Sequence, residues 1–521
     1  MEKIKRFIRH CEEVNLGFGL WIATALAIIF IRDSIESLVS THAFPTFTLF
    51  HLLHVPVFFL TTLISIIIVL RLATREDILK ISKISLIFFA IIILPVTFDF
   101  ILSLVSGVNI SYEYVTGNVR QVVLNFFNPL FSIPGIPYSL RLEILIICIF
   151  SFLYVFLKTN KILLSGLSAF LVFGICALYG TLPGLAVAGF VRVFSLILRI
   201  PHSFFSGRMI KGTVDESVVV IIELVFALLV AAIWFSLYDS RKFKAVFKDF
   251  RFLRYLCCFI LITLGLVLYL RATREIDAFI FVNILGLFGA LFFAVRFSAL
   301  INDIFDVDCD AISNKERPLI TGVIDKSEYL KVGAVYLAFS LLFAIWVSTT
   351  CFMITLLFTG IYFLYSAPPF RLKRFFIFSS LITGIQAVLI LLMGQLFLTQ
   401  SNTTVFLYLP LLGLVFSIFF LGSSIKDLKD IEGDRHCRVY SLPVIFGERA
   451  GRKIVAFLVF LSYLLVPLFL YGFFYELRIF AISFLFGIIN YLYIRKADSR
   501  EQPVFLLYFI YFAIIGLLVI L

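Results

Sequence analysis

The sequence predicts an all-α, polytopic membrane protein: a nine-helix bundle preceded by about six transmembrane helices. Composition is the first reason. The 521 residues are 62% hydrophobic and 15% charged, whereas about a quarter of a soluble chain is charged. Patterning is the second. The apolar residues fall in repeated runs of about 17–24, long enough to cross hydrocarbon as helices. The third is exclusion. Only helices and closed barrels satisfy every backbone group in lipid, and the short alternating strands of a barrel are missing. The formal net charge of +12 reads as topogenic Lys and Arg in the loops and as attraction for an anionic substrate. A nucleic-acid partner is not expected of a chain with no soluble domain.

Hydropathy places six spans in the first part of the chain, near 17–31, 50–70, 84–105, 142–157, 162–184 and 216–237. The basic start MEKIKRFIRH has no small-residue cleavage site after it and is expected to lead into an uncleaved first span. The loops 71–83 and 158–161 are basic and should share the cytoplasmic side with it. Residues 107–138, with Pro129, Pro134 and Pro137, read as an outside loop, and 185–210 as an interfacial amphipathic helix. Asp99, Glu143 and Glu223 lie in or near these spans, where an ionisable group is a functional candidate. His51 and His54 make only a weak metal signal.

The sharpest composition shift is at 238–254, dense in Lys and Arg, read as a basic cytoplasmic linker. It separates an N-terminal multi-span domain of unknown function (1–237) from a C-terminal domain (255–521). Nine spans follow, near 255–271, 279–301, 328–347, 350–364, 375–398, 405–424, 453–471, 478–494 and 503–521. Counted from the linker, the loops 302–327, 365–374, 425–452 and 495–502 all fall on one side, and all are rich in Lys or Arg. An active face toward the cytoplasm is expected.

Two of these loops carry the chemistry. In NDIFDVDCD, Asp303, Asp306 and Asp310 are spaced i, i+3, i+7; in KDLKDIEGD, Asp427, Asp430 and Asp434 repeat that spacing. On a helix such residues share a face. A charge cluster at a helix end is usually a solvated cap. Here the spacing repeats, both copies end spans on the same side, and basic residues follow each (Lys315, Arg317; Arg435, Arg438). Two converging acidic faces repel each other unless cations lie between them. Mg²⁺, a hard ion shared between a few carboxylates and substrate phosphates, fits with a diphosphate between the rows. Asp308 and Glu432 fall off the acidic face. The eight cysteines lack metal-type pairing and read as small buried hydrophobes.

Residues 302–319, NDIFDVDCDAISNKERPL, resemble the NDxxDxxxD motif and following Arg-Pro-Leu of the UbiA superfamily of intramembrane prenyltransferases. Residues 426–447, KDLKDIEGDRHCRVYSLPVIFG, resemble its second motif, and YSAPPFRLK (365–373) its YSxPP loop. The likeness spans about 255–521, and nine helices is the family's number. It implies a Mg²⁺-dependent transfer of a prenyl group from an isoprenyl diphosphate to a lipophilic or aromatic acceptor, with membrane lipid as a further partner. By the same resemblance Asn302, Asp303, Asp306 and Asp310 form one metal motif and Asp427, Asp430 and Asp434 the other. Arg317, Arg371, Lys373 and Arg435 are placed on diphosphate, with Tyr365 and Lys373 acting on the reacting group. Tyr365 reads equally as an interfacial aromatic anchor. The competing class is a membrane transporter or lipid carrier with acidic cytoplasmic-side ion sites; transporters place coupling residues near mid-membrane instead.

Overall fold

The computed structural model describes residues 2–41, 48–110, 112, 122, 124–128, 131, 133, 135–198, 216–248, 250–273, 280–396, 398, 409–469, 476–496 and 499–520. Among them, fifteen helices are long and apolar enough to cross a membrane, each on one of the expected runs. The chain is an integral multi-pass membrane protein. It divides into two compact units, 1–243 and 244–521.

The first unit contains α1 (Glu2–Glu13), α2 (Phe18–Thr41), α3 (Leu49–Thr74), α4 (Ile78–Phe89), α5 (Ile93–Ser106), α6 (Tyr138–Thr159), α7 (Ile162–Leu198) and α8 (Glu216–Tyr238). Only a short 3₁₀ turn separates α4 from α5, so together they make one span. An apolar cluster including Ile29, Ile67, Leu70 and Ile81 packs these helices together. Buried polar groups lie toward the helix ends. Near the N-terminal end, Lys158 pairs with Glu12 (2.9 Å) and Glu76 (3.2 Å), and Tyr154 donates to Glu12 (2.9 Å). Toward the other end, Tyr112 and Ser139 donate to Asp99, and His54 Nδ1 meets Glu223 at 2.6 Å. His51 Nδ1 lies 2.8 Å from the Thr48 hydroxyl. The interfacial helix expected at 185–210 is not separate: α7 runs unbroken to Leu198. Residues 199–210 lie outside the described residues.

The expected linker is partly helical. α9 (Ser240–Lys248) lies within it, and the boundary between the units falls inside α9. Its last turn is held by Arg296, whose Nη2 donates to the Val246 carbonyl at 2.7 Å, a way to satisfy a carbonyl left open at a helix end.

The second unit contains α10 (Phe252–Thr273), α11 (Ile280–Phe305), α12 (Val307–Ser313), α13 (Lys326–Val347), α14 (Thr349–Ser366), α15 (Phe376–Gln395), α16 (Leu409–Gly422), α17 (Ile431–His436), α18 (Leu442–Phe446), α19 (Glu448–Phe469), α20 (Glu476–Ile494) and α21 (Glu501–Ile520). Nine of them are candidate spans. Lipid offers little hydrophobic drive for helices to associate, so small residues and buried polar contacts do that work. Gly265 of α10 and Gly394 of α15 sit against each other's backbone, where a Cβ on either would overlap a carbonyl oxygen. Ser340 of α13 donates to the Ala290 carbonyl of α11 (2.9 Å). Asn490 of α20 donates to Tyr463 of α19 (2.6 Å), and Tyr463 stacks on Tyr508 of α21 with ring centroids 4.5 Å apart. These contacts tie α10 to α15, α11 to α13 and α19 to α20 and α21.

Candidate active site

The first acidic motif is not one continuous helix. α11 stops at Phe305, Asp306 leaves helical geometry (φ −110°, ψ 11°), and α12 begins at Val307. The second motif breaks at the same place in its spacing. A 3₁₀ turn spans Ser423–Leu428, Asp430 takes φ −102°, ψ 14°, and α17 follows. The regular helical face expected from the spacing is thus replaced by a turn at the middle aspartate of each row. Each row passes from a membrane helix to a short surface helix at that point, which re-aims the third carboxylate.

α12 and α17 lie against each other. A Cβ on Gly433 would press on the Cys309 carbonyl and the Ser313 hydroxyl. Asn314 spans the rows, its Nδ2 donating to Asp310 (3.0 Å) and lying 3.4 Å from Asp430 Oδ1. A disulfide joins Cys309 to Cys437, with Cα atoms 5.8 Å apart. For this pair the small-hydrophobe reading is corrected: α12 and α17 bring together two cysteines 128 residues apart in sequence. The YSAPP loop completes the cluster. The Tyr440 N–H donates to the Arg374 carbonyl at 2.7 Å, and Arg371 is held in left-handed geometry (φ 41°), an uncommon conformation for a side-chain-bearing residue.

These three segments, with α10, α14 and α15, surround an open-mouthed cavity of about 100 Å³. Six of the seven expected metal-motif residues line it: Asn302, Asp306, Asp310, Asp427, Asp430 and Asp434. Asp303 does not. It is buried outside the lining, bonded to Arg251 (2.5 Å) and Arg317 (2.6 Å). Of the expected diphosphate groups, Arg317 and Lys373 line the cavity. Arg371 sits behind it and donates to Asp306 at 3.0 Å. Arg435 is exposed and outside the lining. Asp308 and Glu432 are exposed. Tyr365 is buried in the cavity wall, its hydroxyl accepting from Lys426 Nζ (2.7 Å) and 3.2 Å from Ser379 Oγ.

Charge is distributed unequally between the rows. Asp306 pairs with Arg371 and Lys373, and Asp310 with Arg317. Asp427, Asp430 and Asp434 form no ion pair among the described residues. Burial lifts the Asp310 carboxyl to about 6, against the pull of Arg317. Burial, reinforced by Asp427, lifts Asp434 to about 7. Both carry an ionisation cost that a nearby cation relieves.

The donors fit a hard divalent ion, being carboxylate and amide oxygens around one open cavity. Among the described residues no three His, Cys, Asp or Glu side chains converge to hold an ion alone. Mg²⁺ commonly takes one or two carboxylates and completes its shell with water and substrate phosphate.

Sequence reasoning did not single out several groups in this wall. Arg254, Asn314, Tyr362, Ser379, Lys426 and Ser441 all line the cavity. Lys426 had a usable signal, standing beside Asp427 in the second motif. Arg254 was hidden among topogenic charges.

Fold and site together define an integral membrane protein of helices whose C-terminal unit gathers carboxylates, amines and guanidinium groups at one end of a bundle. Residues 258–513 match the UbiA prenyltransferase family, and this unit is a UbiA prenyltransferase family enzyme. That resolves the choice between enzyme and carrier for this unit. The match leaves 1–257 outside it. Digeranylgeranylglyceryl phosphate synthase of Methanocaldococcus jannaschii is 28% identical over 222 residues, 42% of this chain and 73% of that protein. Chloroplastic chlorophyll synthase of Arabidopsis thaliana is 33% identical over 168 residues, 30% of this chain and 42% of that protein. A UbiA homologue of Archaeoglobus fulgidus, solved bound to GPP and Mg²⁺, is 19% identical with a TM-score of 0.41, covering 53% of this chain and 96% of that one.

Proposed function

We propose that the C-terminal unit transfers a prenyl group from an isoprenyl diphosphate to a lipophilic or aromatic acceptor, releasing diphosphate, with Mg²⁺ as cofactor. The observation that carries this reading is that two acidic rows, broken at the same position, line one cavity together with Arg254, Arg317, Lys373 and Lys426. Mg²⁺, when bound, neutralises diphosphate charge and makes it a better leaving group. Asp306, Asp310, Asp427, Asp430, Asp434 and Asn302 would hold it. Asp303 positions Arg317 rather than ligating directly. Arg317 and Lys373, now on carboxylates, turn to phosphate oxygens and stabilise charge as it develops on the departing group. Arg371 holds Asp306 in place. Tyr365, held by Lys426, presents its ring to the allylic cation, and the prenyl chain lies among the helices or in lipid.

The names of the two relatives support a lipophilic product. The basic loops beside the site support an active face toward the cytoplasm. The N-terminal unit stays without a role in this reading. Mass spectrometry of purified protein incubated with Mg²⁺, farnesyl or geranylgeranyl diphosphate and a panel of phenolic, glycerol-phosphate and porphyrin-type acceptors tests it. A prenylated acceptor formed only with Mg²⁺ is the expected product. Unchanged acceptors throughout, with the diphosphates intact, would overturn the reading.

A further inference from the structure

The Cys309–Cys437 bridge is placed where it sets the distance between the two acidic rows. Cys309 stands between Asp306 and Asp310, and it lines the cavity, so solutes reach it. Cys437 ends α17, three residues past Asp434. The bridge therefore clamps α12 to α17 across the gap that two rows of like charge tend to widen. The noncovalent links across that gap are modest: the packing of Gly433 on Cys309 and Ser313, and Asn314 between Asp310 and Asp430. Arg371 Nη2, which bonds Asp306, also lies 3.6 Å from Cys309 Sγ. The other six cysteines are free.

We infer that Cys309 and Cys437 form a thiol–disulfide exchange site that controls the metal affinity of the cavity, its co-substrate a small or protein dithiol. In the exchange the disulfide accepts two electrons and two protons; two cysteine thiols form and the dithiol leaves as its own disulfide. The bridged form holds the rows at the spacing that binds Mg²⁺, and the reduced form lets them part. On the cytoplasmic orientation proposed above, the bridge faces a reducing compartment, where disulfides tend to be transient or redox-sensing.

The metal consequence rests on the proposed function, but its test uses no prenyl substrate. The full chain, purified without reductant, is denatured and alkylated, and its mass is read before and after dithiothreitol. Six alkyl groups before reduction and eight after are expected, from eight cysteines with six free. In parallel, Mg²⁺ is titrated against thermal stability of the folded protein. Reduction is expected to raise the Mg²⁺ midpoint about tenfold, the low end of what loss of a support around a metal site costs. Cys437→Ser is expected to show the raised midpoint with or without reductant. Eight alkyl groups at the outset, or equal midpoints for bridged and reduced wild type, would overturn the inference. The wild-type comparison stands even if the variant does not fold. An absence of prenyl transfer alongside a redox-dependent Mg²⁺ midpoint would count against the function and not against the switch.

Discussion

The aspartates at the two breaks are not equivalent. Asp306 is held by Arg371 and Lys373, whereas Asp430 meets only the Asn314 amide among the described residues. The unpaired second row is the more open to a cation. Asp430→Ala is expected to weaken Mg²⁺ binding and to lower prenyl-transfer kcat/KM on the order of 100-fold. Asp306→Ala is expected to lower it as far while also freeing Arg371 and Lys373, so its KM for the diphosphate should change separately from its Mg²⁺ dependence. Steady-state kinetics across Mg²⁺ concentrations distinguish the two. Ionisation gives a second handle. Asp310 and Asp434, lifted to about 6 and about 7, keep their protons in the folded metal-free protein where the unfolded chain has lost them. Their contribution to stability is therefore present at low pH and falls as pH rises from the ordinary aspartate range, about 4, through those values. Without Mg²⁺, wild type should lose more melting temperature between acid and neutral pH than Asp310→Asn/Asp434→Asn does. Saturating Mg²⁺ should remove that difference. A wild-type curve parallel to the variant's in the absence of Mg²⁺ would contradict this.

At the scale of elements, the site depends on short helices brought close. Gly433 allows α17 to approach α12, so Gly433→Leu should push the rows apart with little direct effect on the spans. Overpacking of this kind typically costs about 1–3 kcal/mol, but most of the expected loss is in Mg²⁺ affinity, read by titration. The element scale is also where the sequence was most and least legible. Long apolar runs announced the fifteen spans, because lipid restricts composition directly. The two carboxylate motifs pointed to six residues that line one cavity. The breaks at Asp306 and Asp430 were not legible: neither carries a Pro, and the nearest glycine, Gly433, lies three residues past the second break. A helical spacing rule therefore read straight through them. Arg251 and Arg254 were masked by a competing explanation, since basic residues at membrane boundaries set topology in any case. The disulfide depends on the packing of two segments distant in sequence, which spacing does not encode.

At the scale of the whole molecule, two membrane units lie in one chain, and the family match covers the second alone. The proposed orientation puts the loops 302–327 and 425–452 on the cytoplasmic side. Single cysteines placed at the exposed Lys315 and Arg435, in a chain otherwise free of cysteine, should be protected from a membrane-impermeant maleimide in right-side-out vesicles and labelled in inverted ones. The reverse labelling would overturn the orientation while leaving the site chemistry intact. The central claim, that the two carboxylate rows act as one metal–diphosphate site, is tested most directly by diphosphate release. Purified full-length protein is given radiolabelled geranylgeranyl diphosphate, Mg²⁺ and the acceptor panel, with wild type, Asp306→Ala and Asp430→Ala compared side by side. Release that requires Mg²⁺ in wild type and is abolished by a substitution in either row is the predicted result; release unaffected by both substitutions would contradict it.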